Sequence, residues 1–166
     1  MRVAGVVALL VLALTPSARA QRVVPTNLLA VDEFIDAPRA LFGRTRAMVE
    51  RTLGAPAAVQ PRSLPGARRA THDVIDELAY PGIVIGVSRA SAGLRRVEIS
   101  EPRWPLPRGL NVGIARSRVE ELLGEPQAMT DVSALYLYSD AYPDTVEFYF
   151  RGGRVQRIEW LYAPVE

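Results

Sequence analysis

The sequence contains no cysteine and no lysine, and it has a single histidine among 166 residues. Without cysteine there is no disulfide, no thiolate metal ligand, no thiol nucleophile and no N-terminal lipidated cysteine. Without lysine, Schiff-base catalysis and the lysine-containing phosphate loop are excluded. We therefore expect no cofactor and no metal site, and a fold that is held together by its hydrophobic core.

The first twenty residues have the pattern of a secretory signal peptide. A basic start at Met1-Arg2 precedes an apolar run from Val3 to Leu14, and Ala18-Arg19-Ala20 supplies a small-x-small cleavage site. The run is shorter than the roughly 20 residues that span a bilayer. We predict cleavage near Ala20, a periplasmic or secreted location, and no integral membrane insertion after cleavage.

Loss of residues 1–20 changes the charge balance of the chain. Two arginines leave with this segment, so the 20 basic residues fall to 18 and equal the 18 acidic residues. A net charge of zero provides no basic field that would attract the phosphates of a nucleic acid. We expect another protein as the partner, and no nucleic acid.

A segment of fourteen residues occurs twice in the chain, at a constant offset of 70. Residues 43–56 read GRTRAMVERTLGAP and residues 113–126 read GIARSRVEELLGEP, with seven identical positions. Downstream, AYP at 79–81 matches AYP at 141–143, and RVEI at 96–99 matches RIEW at 157–160. Repetition in the same order predicts two tandem units, at residues 21–100 and 109–166, joined by a proline-rich connector at residues 101–108.

Each repeated segment predicts a short amphipathic helix. In the second copy Val119, Leu122 and Leu123 share one helix face, and a glycine followed by a proline ends the helix in both copies. Thr45 is a good N-cap for the first helix, whereas Ser117 with Glu120 makes a capping box that starts the second helix later. The repeated residues are interpreted as structural: Gly43, Val49, Leu53, Gly54, Pro56, Gly113, Val119, Leu123, Gly124 and Pro126.

Alternating apolar residues predict three strands after each of these helices. They are residues 75–80, 83–88 and 94–100 in the first unit, and residues 134–139, 145–151 and 155–162 in the second. The segment 62–71 is predicted as a loop. A further helix is expected before each repeated helix, with residues 28–35 as the candidate in the first unit. The predicted fold is α+β, with two tandem copies of a helix-helix plus three-stranded antiparallel sheet unit.

The glycine, the Val and the Leu-Gly-x-Pro ending of the helix, followed by a three-stranded meander, resemble the SmpA/OmlA family of small outer-membrane lipoproteins. The same fold is shared by the β-lactamase inhibitor protein, which has two tandem copies. The resemblance covers residues 43–56 and 113–126, and the strand order extends it to most of the chain. It implies a helix pair packed on an antiparallel sheet and a protein that binds other proteins at the cell envelope.

The strongest candidate for catalysis is His72, which stands next to Asp73 and close to Asp76 and Glu77. An imidazole base or a carboxylate metal site is chemically possible there. His72 has no counterpart in the second unit, and no serine lies in a nucleophile-elbow pattern. A small hydrolase or metal-dependent enzyme centred on His72 is therefore the alternative hypothesis, and we expect no catalytic residue.

Aromatic side chains on the strands of the second unit are the candidate binding residues. Tyr149 lies on the face opposite Phe148 and Phe150 by alternation, and Tyr136 and Tyr138 share a face with each other. Tyrosine is enriched at the energetic centres of protein interfaces, although cross-strand packing explains such residues equally well. We predict an exported, non-enzymatic protein-binding module of the cell envelope, with a purely structural envelope scaffold as a second alternative.

Overall fold

The computed structural model describes residues 25–65, 72–139 and 144–164, so the predicted signal peptide and its cleavage site lie outside the described residues. The described part contains three α-helices: α1 (Leu28–Phe42), α2 (Arg46–Leu53) and α3 (Arg116–Leu123). It also contains eight strands: β1 (Ala58–Pro65), β2 (His72–Tyr80), β3 (Ile83–Ser88), β4 (Leu94–Ile99), β5 (Ala128–Met129), β6 (Ser133–Leu137), β7 (Thr145–Arg151) and β8 (Arg154–Leu161). The predicted α+β class is confirmed.

All eight strands form one antiparallel sheet in the order β1-β2-β3-β4-β8-β7-β6-β5. The predicted three strands in each unit were too few. The additional strand β1 falls partly in the predicted loop, because Pro61 and Pro65 lie in a strand at the edge of the sheet, where a missing N–H is tolerated. The additional strand β5 has only two residues. Since β4 pairs with β8, the sheet runs without interruption across the two predicted units.

The three helices cover one face of the sheet and form the hydrophobic core with it. Strand side chains that alternate toward this face are fully buried, among them Leu78, Ile85, Val97, Phe148 and Trp160. Each of the short helices inserts a buried valine, Val49 in α2 and Val119 in α3. No helix in the described part of the chain is long and apolar enough to cross a membrane.

Helix α1 continues through a proline and so is longer than the predicted 28–35 segment. Pro38 has no N–H, so the carbonyl of Phe34, four residues earlier, has no partner within the helix. The indole Nε1 of Trp160 on β8 donates to that carbonyl at 3.0 Å. The Tyr162 hydroxyl donates to the next carbonyl, that of Ile35, at 2.9 Å. Two aromatic side chains from the end of the chain thereby hold the first helix.

Both short helices end on a glycine with positive φ, as predicted. Gly54 has φ 84° and ψ −167°, and Gly124 has φ 76° and ψ −155°. With ψ near 180° these residues are not left-handed helical but lie in a region open essentially to glycine alone. Thr45 caps α2 by accepting from the Met48 N–H, which confirms that prediction.

The start of the second short helix differs from its prediction. Helix α3 begins at Arg116, directly after Ala115, whose side chain cannot cap it. The Ser117–Glu120 capping box does not form, because Ser117 lies within the helix and is not its N-cap. Glu120 instead accepts from the Arg116 guanidinium Nε at 2.8 Å. The helix expected before α3 is also missing: residues 101–115 are all described and contain only one 3-10 turn, at Pro107–Gly109. Three prolines within six residues prevent a helix there.

Candidate functional site

The face of the sheet turned away from the helices, here called the open face, carries charged side chains at its centre. Glu98 on β4 stands directly opposite Glu159 on β8, and Glu159 stands directly opposite Glu147 on β7. Three carboxylates thus lie side by side across the three neighbouring strands. Like charges in directly opposed positions repel, so this row needs cations and hydrogen-bond donors around it.

Arg96 lies at one side of the glutamate row and is almost completely buried, with 5% of its side chain exposed. Its guanidinium binds three carboxylates: Glu159 through Nε at 2.6 Å, Glu77 through Nη1 at 2.9 Å, and Glu98 through Nη2. Burial alone would lower the pKa of Arg96, but the contacts with these carboxylates raise it above its usual value. Arg96 therefore stays charged and has its donors satisfied within the protein.

Arg157 lies at the other side of the row and is far more accessible, with 36% of its side chain exposed. Its Nη1 donates to Glu98 at 3.2 Å, and its Nη2 is 4.0 Å from Glu159, too far for a hydrogen bond. The guanidinium carbon stands 3.9 Å from the centre of the Tyr149 ring, which is a cation–π contact. Arg157 is thus held in place, and among the described residues only its Nη1 donates a hydrogen bond.

Tyr149 combines this stacking with hydrogen bonds from its hydroxyl. The single hydroxyl proton is shared between Glu147, at 2.7 Å, and Glu159, at 3.2 Å. Burial raises the pKa of Tyr149 well above its usual value, and the hydrogen bond to Glu147 and the charge of Glu159 raise it further. Tyr149 is therefore a neutral donor at physiological pH, with its ring fixed on the open face.

The Arg96 side and the Arg157 side of the open face differ in the residue that stands opposite the arginine. Strand register places Gly86 opposite Arg96, and Tyr149 opposite Arg157. Because Gly86 has no side chain, Ile75 packs over it: a Cβ built at Gly86 would stand 2.5 Å from the Ile75 Cδ1. The first side is thereby closed by Ile75 and Glu77, whereas the second presents an aromatic ring and a partly exposed arginine.

An open groove of about 720 Å³ adjoins Tyr149 and Arg157. Its walls come from the β7–β8 hairpin, from the turn before β6 and from the residue that follows β4. They comprise Ser100, Asp131, Val132, Tyr149, Phe150, Arg151, Gly152, Gly153, Gln156 and Arg157. Val132 exposes 61% of its surface there, so the groove combines an apolar contact with charged groups.

Of the three tyrosines predicted to bind, only Tyr149 reaches the groove. Tyr136 is fully buried on the helix side, and its hydroxyl donates to the Gly124 carbonyl at 3.0 Å. Tyr138 is partly buried against the core, with its hydroxyl 3.3 Å from an Asp36 carboxylate oxygen. Tyr136 and Tyr138 thus belong to the packing of the helices.

The region around His72 has a different arrangement. His72 is exposed at the start of β2. Asp73 is buried and bound by Arg95 and by the Ser88 hydroxyl, Asp76 is bound by Arg46 and Arg89, and Glu77 is bound by Arg62 and Arg96. Each neighbouring carboxylate is therefore neutralised by arginine. Within residues 25–65, 72–139 and 144–164, no three histidine or carboxylate groups are placed to hold a metal ion.

Arg96, Glu98, Arg157 and Glu159 were not predicted as site residues. A sequence signal for them existed, since the Arg-x-Glu pattern recurs in RVEI at 96–99 and RIEW at 157–160. The match between AYP at 79–81 and AYP at 141–143 stays a prediction. The hydroxyls of Tyr80 and Tyr136 each donate to the carbonyl of a helix-ending glycine, Gly54 and Gly124 respectively. The second AYP segment, 141–143, lies outside the described residues.

Comparison with known proteins gives little guidance to the function of this face. No protein-family model matches the chain, and no curated protein matches it. A solved structure that is similar is that of the uncharacterized protein YfeY from Escherichia coli, with a TM-score of 0.39 and 13% identity over 79% of this chain and 94% of that chain. A likeness at this score assigns no family.

Proposed function

We propose that this chain is an exported, non-enzymatic module of the cell envelope that binds another protein through the open face of its sheet. The observation that carries the proposal is the stacked Tyr149–Arg157 pair beside the groove. Tyrosine and arginine are the residue types that most often dominate the binding energy of protein interfaces. The pair stands on rigid strands rather than on a loop, so its geometry exists before any partner arrives.

The fixed position of Tyr149 strengthens this proposal. Its ring is held by the Arg157 guanidinium and its hydroxyl by Glu147, so the side chain has little rotational freedom to lose on binding. A preorganised contact costs less entropy than a mobile one. Val132, in the same groove, adds an exposed apolar surface that a partner would cover.

We further propose that the two halves of the sheet are tandem copies of one unit, at residues 21–100 and 109–166. Helices α2 and α3 have equal length and stand 70 residues apart, and the strand order is symmetric about the β4–β8 pair. The Glu98–Glu159 pair lies at the centre of this arrangement. Such a duplication supports the resemblance to the SmpA/OmlA family, and with it a role at the envelope.

Export is the part of the proposal that rests on sequence alone. Residues 1–20 carry the signal-peptide pattern, and the expected mature chain begins at Gln21 in the periplasm or outside the cell. The intact mass of protein recovered from the periplasm or the medium tests this. A mass that retains residues 1–20 would contradict it.

The two alternatives have less support. An enzyme centred on His72 would need a free carboxylate to orient or assist the imidazole, and Asp73, Asp76 and Glu77 are each bound to arginine. A purely structural scaffold would have no use for an accessible Tyr149–Arg157 pair beside an open groove. The photo-crosslinking experiment described next distinguishes protein binding from both alternatives.

Photo-crosslinking tests the proposed function. A photoreactive residue replaces Val132 in the groove, and in a matched control it replaces Met48, which is similarly apolar and exposed but lies on helix α2. After irradiation of envelope fractions, we expect a discrete crosslinked protein from position 132 and none from position 48. Products of equal yield from both positions, or none from either, would contradict a specific interface on this face.

Two further variants in the same assay identify the residues responsible. Adding Tyr149→Ala is expected to weaken partner binding by about 1–2 kcal/mol, because it removes the aromatic anchor. Adding His72→Ala is expected to change neither the crosslink nor the fold, since His72 is an exposed residue at the start of β2. Loss of the crosslink in the histidine variant alone would favour the enzyme instead.

A further inference from the structure

The arginines of the groove have fewer carboxylate partners than their counterpart on the other side of the open face. Arg96 is bound by three carboxylates, Glu77, Glu98 and Glu159. Strand register puts Glu77 opposite Gly86, across which Glu77 reaches Arg96, and it puts Ser133 opposite Tyr149, which stands between Ser133 and Arg157. A serine therefore stands where the first side has a glutamate, and Arg157 lacks the third carboxylate that Arg96 has.

A second cation in the groove is unpaired. Arg151 lies two residues after Tyr149 on β7, on the same face, and is exposed. Among the described residues it has no ion-pair partner, and the groove holds only one acidic side chain, Asp131, against Arg151 and Arg157. The two arginines of the lining therefore outnumber its one acidic residue, and Arg157 is also paired with Glu98, which does not line the groove.

The edge strands of the two sides differ in length, eight residues in β1 and two in β5. Strand β1 runs alongside β2 as far as the Pro65–His72 pair, and Leu64 of β1 is buried opposite Asp73. Strand β5 has only two residues and pairs with β6 at Leu135 and Ala134. On the side of the sheet that contains β1, buried side chains such as Leu64 occupy the surface. On the side that contains β5, the groove leaves room for a segment from another molecule.

We infer that the groove binds an acidic peptide segment of the partner protein, with a carboxylate held between Arg151 and Arg157 and an apolar neighbour on Val132. The inference rests on the proposed function and specifies the chemistry of its partner. The ligand carboxylate supplies to Arg157 what Glu77 supplies to Arg96. Arginine and carboxylate form charge-assisted, often bidentate hydrogen bonds, which suit the exposed donors of these two side chains.

The test uses the full exported chain, labelled with ¹⁵N, and three synthetic hexapeptides as probes. One peptide alternates glutamate with leucine, one has glutamine in place of glutamate, and one has lysine there. We expect the acidic peptide to shift the backbone amides of Arg151, Gly152, Gly153 and Gln156, with an affinity that falls as salt is added. The glutamine and lysine peptides should bind at least about tenfold more weakly, because neither carries the carboxylate.

Two charge-reversal variants show whether the groove is responsible. Arg151→Glu is expected to weaken binding of the acidic peptide by at least about tenfold, since it replaces an attraction with a repulsion. Arg51→Glu is the matched control, because Arg51 is also an exposed arginine without an ion pair in the described chain but lies on helix α2. Arg51→Glu should leave binding unchanged, and thermal unfolding of both variants verifies their fold.

Three results would overturn the inference. They are shifts spread over surface arginines rather than concentrated at the groove, equal binding of the glutamine or lysine peptide, and an equal loss in Arg51→Glu. The crosslink from position 132 distinguishes this failure from failure of the proposed function. Suppose that the crosslink persists in Arg151→Glu and the acidic peptide does not bind the unaltered protein. This result would support the proposal that the open face binds a protein, and it would reject an acidic segment as the part that enters the groove.

Discussion

Glu98 and Glu159 stand directly opposite each other on adjacent strands, and each of them forms ion pairs with both Arg96 and Arg157. Two like charges at such a position would weaken the β4–β8 pair, which joins the two halves of the sheet. The two arginines offset that repulsion from opposite sides. Cohesion at the centre of the sheet therefore depends on a balanced set of four charges as well as on backbone hydrogen bonds.

Removal of Arg96 should destabilise the protein strongly. Arg96→Ala leaves Glu77, Glu98 and Glu159 without their shared cation in a largely buried place, and we expect a loss of about 3 kcal/mol in the free energy of unfolding. Arg157→Ala, at the more exposed side of the same row, should cost at most about 1 kcal/mol. Urea denaturation of the two variants measures both values. Equal losses would show that burial does not distinguish the two arginines.

Gly86 should not tolerate even a methyl group unless its neighbour is shortened. Gly86→Ala places a Cβ 2.5 Å from the Ile75 Cδ1 and 3.1 Å from the Arg96 Cβ, so we expect a loss of about 1–3 kcal/mol from overpacking. Ile75→Val removes that Cδ1 methyl, and the double variant should be more stable than the sum of the single losses predicts. Strictly additive losses would mean that the Ile75 side chain is not what fills the space over Gly86.

The two helix-ending glycines should differ in their response to alanine. Both have positive φ with ψ near 180°, so either Gly54→Ala or Gly124→Ala should cost about 1–3 kcal/mol in backbone strain. A Cβ at Gly124 would also stand 2.1 Å from the Pro25 carbonyl oxygen, whereas nothing lies within 4 Å of one at Gly54. Thermal melting should rank Gly124→Ala clearly below Gly54→Ala, and the reverse order would contradict the contact of residue 25 with this helix end.

Stability should decline in alkaline solution as tyrosines ionise. Burial raises the pKa of Tyr149 and of Tyr162 in the folded protein, while the unfolded chain has the ordinary tyrosine pKa of about 10. The stabilisation is therefore fully present below about pH 10 and is lost above it, because the unfolded chain releases its protons first. Urea midpoints between pH 8 and 11 measure the decline. Tyr149→Phe should reduce the slope of this decline, and an unchanged slope would contradict a half-buried, neutral Tyr149.

Local sequence patterns correctly predicted the strands and helix ends whose boundaries depend on neighbouring residues in the chain. Strands β3 and β7 have the predicted ends, because alternating β-branched and aromatic residues leave little choice of boundary. Helices α2 and α3 end where glycine requires it. Helix α1 was predicted too short, because Pro38 breaks a helix unless a donor such as the Trp160 indole replaces the missing bond, and that donor is 126 residues away along the chain.

The site was only partly predictable for the same reason. Alternation along β7 was enough to place Tyr149 on the open face. The partners of Tyr149 depend on the pairing of β4 with β8 and of β7 with β8, which no short-range pattern specifies. The prolines in β1 concealed an edge strand, and no short-range pattern specified the difference in length between β1 and β5.

The bonds from Trp160 and Tyr162 to helix α1 have a consequence for the timing of folding. The first described helix is bound by residues of β8 and the position after it, so α1 has no complete docking site until Trp160 and Tyr162 have been synthesised. Contacts between such distant residues form late, because closing a long loop costs entropy before it is rewarded. Helix α1 therefore completes its packing only after Tyr162 has been synthesised.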